Sequence, residues 1–181
     1  MTKLFAAFTL VLGLVAGPAF AADASLSLDM HNMHTPAPGL MTGGQPSKAD
    51  LEKLKAAGYK VIVNLRLPTE VTKTEDPAKA DQYNFPEAND ALSLGFQYIN
   101  LPVKGAAGIS EENARTLDAI LKAAKGPVLV HCSSGNRAGG LIALRAFYVL
   151  HQSKDAALAA GRQAGLTQLE PLVKATLDHA R

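Results

Sequence analysis

The chain has 181 residues, a formal charge of +2 from 18 basic and 16 acidic side chains, and one cysteine. That length holds one domain with its own hydrophobic core. A near-neutral chain without a basic cluster gives no electrostatic case for nucleic acid or membrane-surface binding, and a lone cysteine excludes a disulfide within the chain.

Lys3 precedes an almost wholly apolar run over residues 4–15, Gly17 and Pro18 break it, and Ala19-Phe20-Ala21 offers small residues to a signal peptidase. Residues 1–21 therefore read as a secretory signal cut after Ala21, which places the mature chain in the periplasm or outside the cell, free of the membrane after cleavage. Residues 22–38 are rich in small residues, Pro, Gly, His and Met and read as irregular, with the folded domain expected over residues 39–181. Met30, His31, Met33, His34 and Met41 carry donors that suit copper, but their irregular spacing reads first as linker, and no metal site is assigned.

A short strand is expected at residues 40–42. Ser47 can cap a helix over residues 48–57, which Gly58 stops. Residues 60–65 (KVIVNL) are dense in β-branched side chains and read as a buried strand. Residues 67–85 are polar and broken by Pro68 and Pro77, the pattern of a long loop. Pro86 opens a short helix ending near Gly95, and residues 96–101 (FQYINL) form the next strand. Ser110, Glu111 and Glu112 start a helix that runs to about residue 124. Residues 127–131 (PVLVH) make a short apolar strand. Helices follow over 137–151, over 154–164 capped by Ser153, and over 168–179 with Thr167 and Glu170 as a capping box. Strands alternating with helices predict an α/β fold with a mainly parallel central sheet flanked by helices. In such a sheet the reactive groups lie beyond the carboxyl ends of the strands.

Cys132 follows PVLVH immediately. Ser133, Ser134, Gly135 and Asn136 are small or turn-prone, so the backbone can curl and aim its N–H groups inward, with Gly135 allowing a crowded conformation. The next helix points its positive end at the same spot. Arg137 adds a planar fork of donors suited to a tetrahedral oxyanion. Such surroundings favour thiolate over thiol and make Cys132 a nucleophile inside an anion cradle. His131 supports the loop from behind. Asn64, Arg66 and Glu70 form a second cluster, because the strand ending near Leu65 finishes on the same sheet edge; an Arg66–Glu70 ion pair would shape the rim.

The order His131-Cys132, a glycine-centred loop, then Arg137 resembles the signature of cysteine-dependent phosphatases. The likeness extends further: TGGQPS at 42–47, GYKVIVNLR at 58–66 with Glu70, and GFQY at 95–98 leading to LPV at 101–103 all fall in the same order. Over roughly residues 40–149 the chain resembles the beta-lactamase-hydrolase-like phosphatase family, a bacterial branch of the dual-specificity phosphatase fold. The resemblance implies a tyrosine or dual-specificity phosphatase-like fold and a hydrolase of phosphorylated or other oxyanionic substrates. Cys132 would be the nucleophile. Arg137 and the loop residues Ser133, Ser134, Gly135, Asn136 and Ala138 would bind the substrate oxygens, with no metal or cofactor.

Two departures keep rival readings open. Four residues separate Cys132 from Arg137 where ordinary phosphatases place five, and rhodanese-type sulfurtransferases share the shorter spacing. A persulfide-carrying sulfurtransferase is therefore the alternative. The stretch 102–108 (PVKGAAG), where ordinary phosphatases carry an acidic proton donor, has no carboxylate. Glu70, Glu75, Asp76 and Asp81 are the candidates elsewhere, and a non-catalytic oxyanion-binding module is the third reading. Oligomeric state is not written in the sequence.

Overall fold

A computed structural model describes residues 26–72 and 77–180; the signal expected over residues 1–21 lies outside them. The strands are β1 (His34–Ala37), β2 (Leu40–Gly43), β3 (Val61–Asn64), β4 (Gln97–Asn100) and β5 (Val128–His131). They form one sheet in the order β1-β2-β5-β3-β4. β1 and β2 make an antiparallel hairpin, and every other pairing is parallel. The register brings Gly43, Asn64 and His131 side by side at the carboxyl edge.

The helices are α1 (Lys48–Ala56), α2 (Ala80–Tyr83), α3 (Glu87–Ser93), α4 (Glu111–Ala123), α5 (Asn136–Tyr148), α6 (Lys154–Gln163) and α7 (Glu170–His179). Strand alternation sorts the core into two layers. Val61, Val63, Val128 and Val130 pack with Leu117, Leu141, Leu144, Leu158, Val173 and Leu177, which come from α4 to α7. Ile62 and Leu129 turn to the other face and meet Leu51, Leu54, Ala91 and Phe96. The same alternation sends His131 to the α1–α3 face, while Cys132 belongs to the α4–α7 core.

Three expectations are corrected. The end of the segment read as irregular is β1, an edge strand, where Pro36 costs no ladder bond a central strand would need. The long loop over 67–85 contains a 3-10 turn (Pro77–Lys79) and α2, both too short to show a periodicity. The capping box of Thr167 and Glu170 does not form. Asn136 Oδ1 takes the N–H groups of Thr167 (3.0 Å) and Leu169 (3.1 Å), and Glu170 turns outward to Arg162. The Ser47 cap expected at the first helix is present, and it forms a reciprocal capping box with Asp50. Of the methionines near the N-terminus, Met30 and Met41 are buried, with Met30 packed over Gly43, while Met33 is exposed.

α5 carries the site and is clamped by small residues. A Cβ on Gly139 would lie 2.2 Å from the Leu166 backbone nitrogen. Backbone cannot yield as a flexible side chain can, so Gly139→Ala is expected to cost about 3 kcal/mol or more of stability. Urea denaturation of the two proteins measures it; a loss under about 1 kcal/mol would contradict the packing described.

Candidate active site

β5 delivers Cys132 to the carboxyl edge, where its N–H bonds to Gly43 O at 3.1 Å. The chain then turns back on itself. Gln45 N donates to Ser133 O, Gly44 bridges Ser134, and Gly135 takes a left-handed conformation (φ 82°) just before α5. A side chain is strained at that φ, and its Cβ would also meet Asn32 Nδ2 at 2.8 Å. Among the described residues, the N–H groups of Ser133, Asn136, Arg137 and Ala138 have no acceptor, while the bridge to Gly44 engages the backbone at Ser134 and Gly135. Free N–H donors at the start of a helix, beside a buried sulfur, make an anion cradle with Cys132 on its floor.

Arg137 is held flat above this floor. Nη1 donates to Glu70 Oε1 (2.6 Å) and Val103 O (2.8 Å); Nη2 donates to Glu70 Oε2 (2.5 Å) and Ser133 Oγ (3.1 Å). Nε bonds to no oxygen, and the guanidinium also reaches the Cys132 sulfur. The Arg137 pKa is pushed up. Burial opposes the charge, but the Glu70 hydrogen bonds and the charges of Cys132 and Glu70 outweigh it.

Glu70 also accepts from Leu67 N (2.9 Å) and Ser133 Oγ (2.8 Å). Its pKa falls to about 2: burial works against ionisation, and the bonds from Arg137, Leu67 and Ser133 overcome it. Glu70 is therefore a carboxylate at neutral pH and cannot donate the leaving-group proton. A depressed folded-state pKa stabilises the fold above the unfolded value near 4.5, and that contribution disappears as pH falls towards 2. Because Glu70 is partly open to solvent, Glu70→Gln is expected to cost about 1–2 kcal/mol at pH 7. The gap should narrow below pH 4.5 in paired denaturation curves. A gap constant with pH would show that charge is not the cause.

The other expected residues fall into place around this pair. Arg66 donates through Nη2 to Glu70 O (2.7 Å) and its Nε lies 3.8 Å from Glu70 Oε2, so the expected Arg66–Glu70 ion pair is present, with Arg137 holding the carboxylate more closely. Asn64 lies under the rim, bonding Tyr98 Oη (2.7 Å) and Glu87 Oε2 (3.2 Å). The Asn136 side chain faces Thr167, so only its backbone N–H belongs to the cradle. Ala138 sits in the first turn of α5, fully buried. Asp81 lines an open cleft of about 430 Å³ with Asp29, Ser47, Lys48, Ala49 and Gln82, which includes no loop residue. Glu75 and Asp76 lie outside the described residues.

Four contributors, Asn32, Gln45, Glu87 and the Val103 carbonyl, were not singled out from sequence. Asn32 donates to Ser134 O (3.0 Å) and Gly165 O (2.9 Å), tying the loop to the turn after α6, and His34 holds Asn32 Oδ1. The Val103 carbonyl, Gln45 and Glu87 complete the set. Only Gln45 carried a signal, inside TGGQPS.

Solved structures share this fold. The nma1982 protein of Neisseria meningitidis Z2491 superposes with a TM-score of 0.63 at 24% identity, covering 82% of this chain and 97% of its own. TpbA of P. aeruginosa gives 0.57 at 20% identity, covering 83% and 86%. Among curated proteins, the beta-lactamase hydrolase-like protein of Agrobacterium fabrum is 34% identical over 116 residues, 64% of this chain and 24% of its own length. That of Xylella fastidiosa is 31% identical over 126 residues, 70% of this chain and 27% of its own. The chain thus spans about a quarter of these relatives. The family described as beta-lactamase hydrolase-like protein, phosphatase-like domain, matches residues 32–147, from the Asn32 brace through the cysteine loop and most of α5. The chain belongs to that family of phosphatase-like domains.

Proposed function

We propose that the chain hydrolyses phosphate monoesters through a phosphocysteine formed on Cys132. The observation that carries this reading is the free N–H groups of Ser133, Asn136, Arg137 and Ala138 around Cys132, beside a guanidinium held by both oxygens of Glu70. The Cys132 thiolate attacks phosphorus, an S–P bond forms and the ester P–O bond breaks. Arg137 and the loop N–H groups take up the charge on the equatorial oxygens. No described carboxylate is placed to protonate the leaving oxygen, so that proton comes from water. Water then attacks phosphorus, the S–P bond breaks, and phosphate and the thiolate are restored. The apolar leader at residues 4–15 supports an extracytoplasmic setting for this chemistry.

p-Nitrophenyl phosphate is the fitting first substrate, because nitrophenolate leaves without an acid. Turnover, with a phosphoryl adduct trapped on Cys132 by acid quench and mass spectrometry, supports the proposal. No turnover of any aryl phosphate, or a persulfide on Cys132 with thiosulfate:cyanide activity in its place, overturns it.

A further inference from the structure

We propose that Glu87 is a positioning residue for the chemistry at Cys132, holding His131 as a buried imidazolium beneath the catalytic loop. The inference deepens the phosphatase reading and rests on it for its functional meaning. Glu87 opens α3 and is 6% exposed; His131 is completely buried. Glu87 Oε1 lies 2.8 Å from His131 Nε2, an ion-pair distance, although the contact is off the ideal hydrogen-bond direction and no other group reaches either atom. Two bare lone pairs would repel at that distance, so one of the two atoms carries a proton. The other imidazole nitrogen, Nδ1, faces the Cys132 carbonyl oxygen at 3.4 Å, which can only accept. With an acceptor on each side, only the doubly protonated ring satisfies both nitrogens.

Glu87 is built to be a carboxylate. Its Oε2 accepts from Gln45 Nε2 (3.0 Å) and Asn64 Nδ2 (3.2 Å), with the Tyr98 hydroxyl at 3.5 Å. Burial alone would raise its pKa, but the charge and hydrogen bonding of His131, the Gln45 bond and the charge of Arg66 bring it below the ordinary value. The negative charge in turn helps to push the Tyr98 pKa up to about 12. A buried ion pair is no better for stability than an apolar pair of the same shape, so its position one residue from the nucleophile is what makes it informative. The network also reaches the front of the site. Gln45 Oε1 accepts from Arg66 Nη1, Arg66 Nη2 donates to Glu70 O, and Glu70 holds Arg137. The two cations flanking Cys132 are thus each fixed by a glutamate, and Gln45 and Arg66 join the two pairs.

The test uses the full chain labelled with 15N-histidine. At pH 7.5 the His131 signals of the wild type should show both ring nitrogens protonated, and those of Glu87→Gln one protonated and one bare. Charged or titratable groups facing the pair are Arg66 just after β3, Tyr98 from β4 and Cys132 after β5, with the neutral amides of Asn64 and Gln45 between them. Of these, only Cys132 is also read by alkylation. Iodoacetamide modification of Cys132 at pH 6 should be about tenfold slower in Glu87→Gln, with kcat for p-nitrophenyl phosphate lowered about tenfold and KM changed less than about twofold. Glu87→Asp should restore most of both. A wild-type His131 with one bare nitrogen overturns the proposal, even if the Gln variant fails to fold. So does a folded Gln variant with unchanged alkylation. Neither readout requires turnover, so a wild type that passes both yet hydrolyses nothing removes the phosphatase reading and leaves the ion pair standing.

Discussion

Replacing Cys132 with serine should lower the hydrolysis of p-nitrophenyl phosphate by at least about 10⁴-fold, the scale of losses when a covalent nucleophile is removed. The cradle polarises whatever atom sits on its floor, but a hydroxyl ionises so much less readily than a thiol that the same field leaves it neutral. The shape of the site should survive, because oxygen is smaller than sulfur and the loop is held by backbone contacts at Gly43, Gly44 and Gln45 and by the Asn32 brace. Thermal unfolding should therefore shift by no more than a few degrees. Phosphate should still bind the variant, since Ser133 to Ala138 keep their N–H groups. Steady-state kinetics and calorimetric phosphate titration check the two halves separately. Residual turnover above about one per cent, far more than nucleophile loss allows, would mean that the sulfur is not the attacking atom.

What the sequence showed and what it hid follow from the range of the interactions. Strand, cysteine, loop and helix are contiguous over residues 128–148, so local rules place Cys132, Gly135 and Arg137 correctly relative to one another. The expected partnership of Arg66 with Glu70 was half the story. Both lie four residues apart, but the stronger claim on the Glu70 carboxylate comes from Arg137, 67 residues later. Glu87 was hidden for the same reason. In EANDALS it looks like an ordinary acid on a solvated short helix, and its partner is His131, reachable only once β5 is known to present that ring to the α3 face. β1 was missed because Pro36 and Pro38 argue against a strand unless it is known to be at the edge. In each case the missing information was which face and which edge, and both are set by the whole sheet.

Arg137→Lys should lower kcat for the same substrate by about 10³-fold, although it keeps the charge. The physical reason is the number of fixed donors. Arg137 spends Nη1 and Nη2 on Glu70, Val103 O and Ser133 Oγ and has a further N–H turned to the Cys132 side, where the phosphoryl group would sit. A lysine ammonium cannot hold both Glu70 oxygens and present a donor to the substrate in the same plane. It would settle on Glu70 or on phosphate. This makes the two residues one unit, and the double variant tests that directly. Glu70→Gln alone frees the arginine fork and should cost about tenfold in kcat, while Glu70→Gln with Arg137→Lys should be no worse than Arg137→Lys alone. If the two losses multiply, Glu70 acts on the reaction by a route other than Arg137. The most direct such route on the structure is its bond to Ser133 Oγ at 2.8 Å, and Ser133→Ala would then reproduce the Glu70→Gln effect.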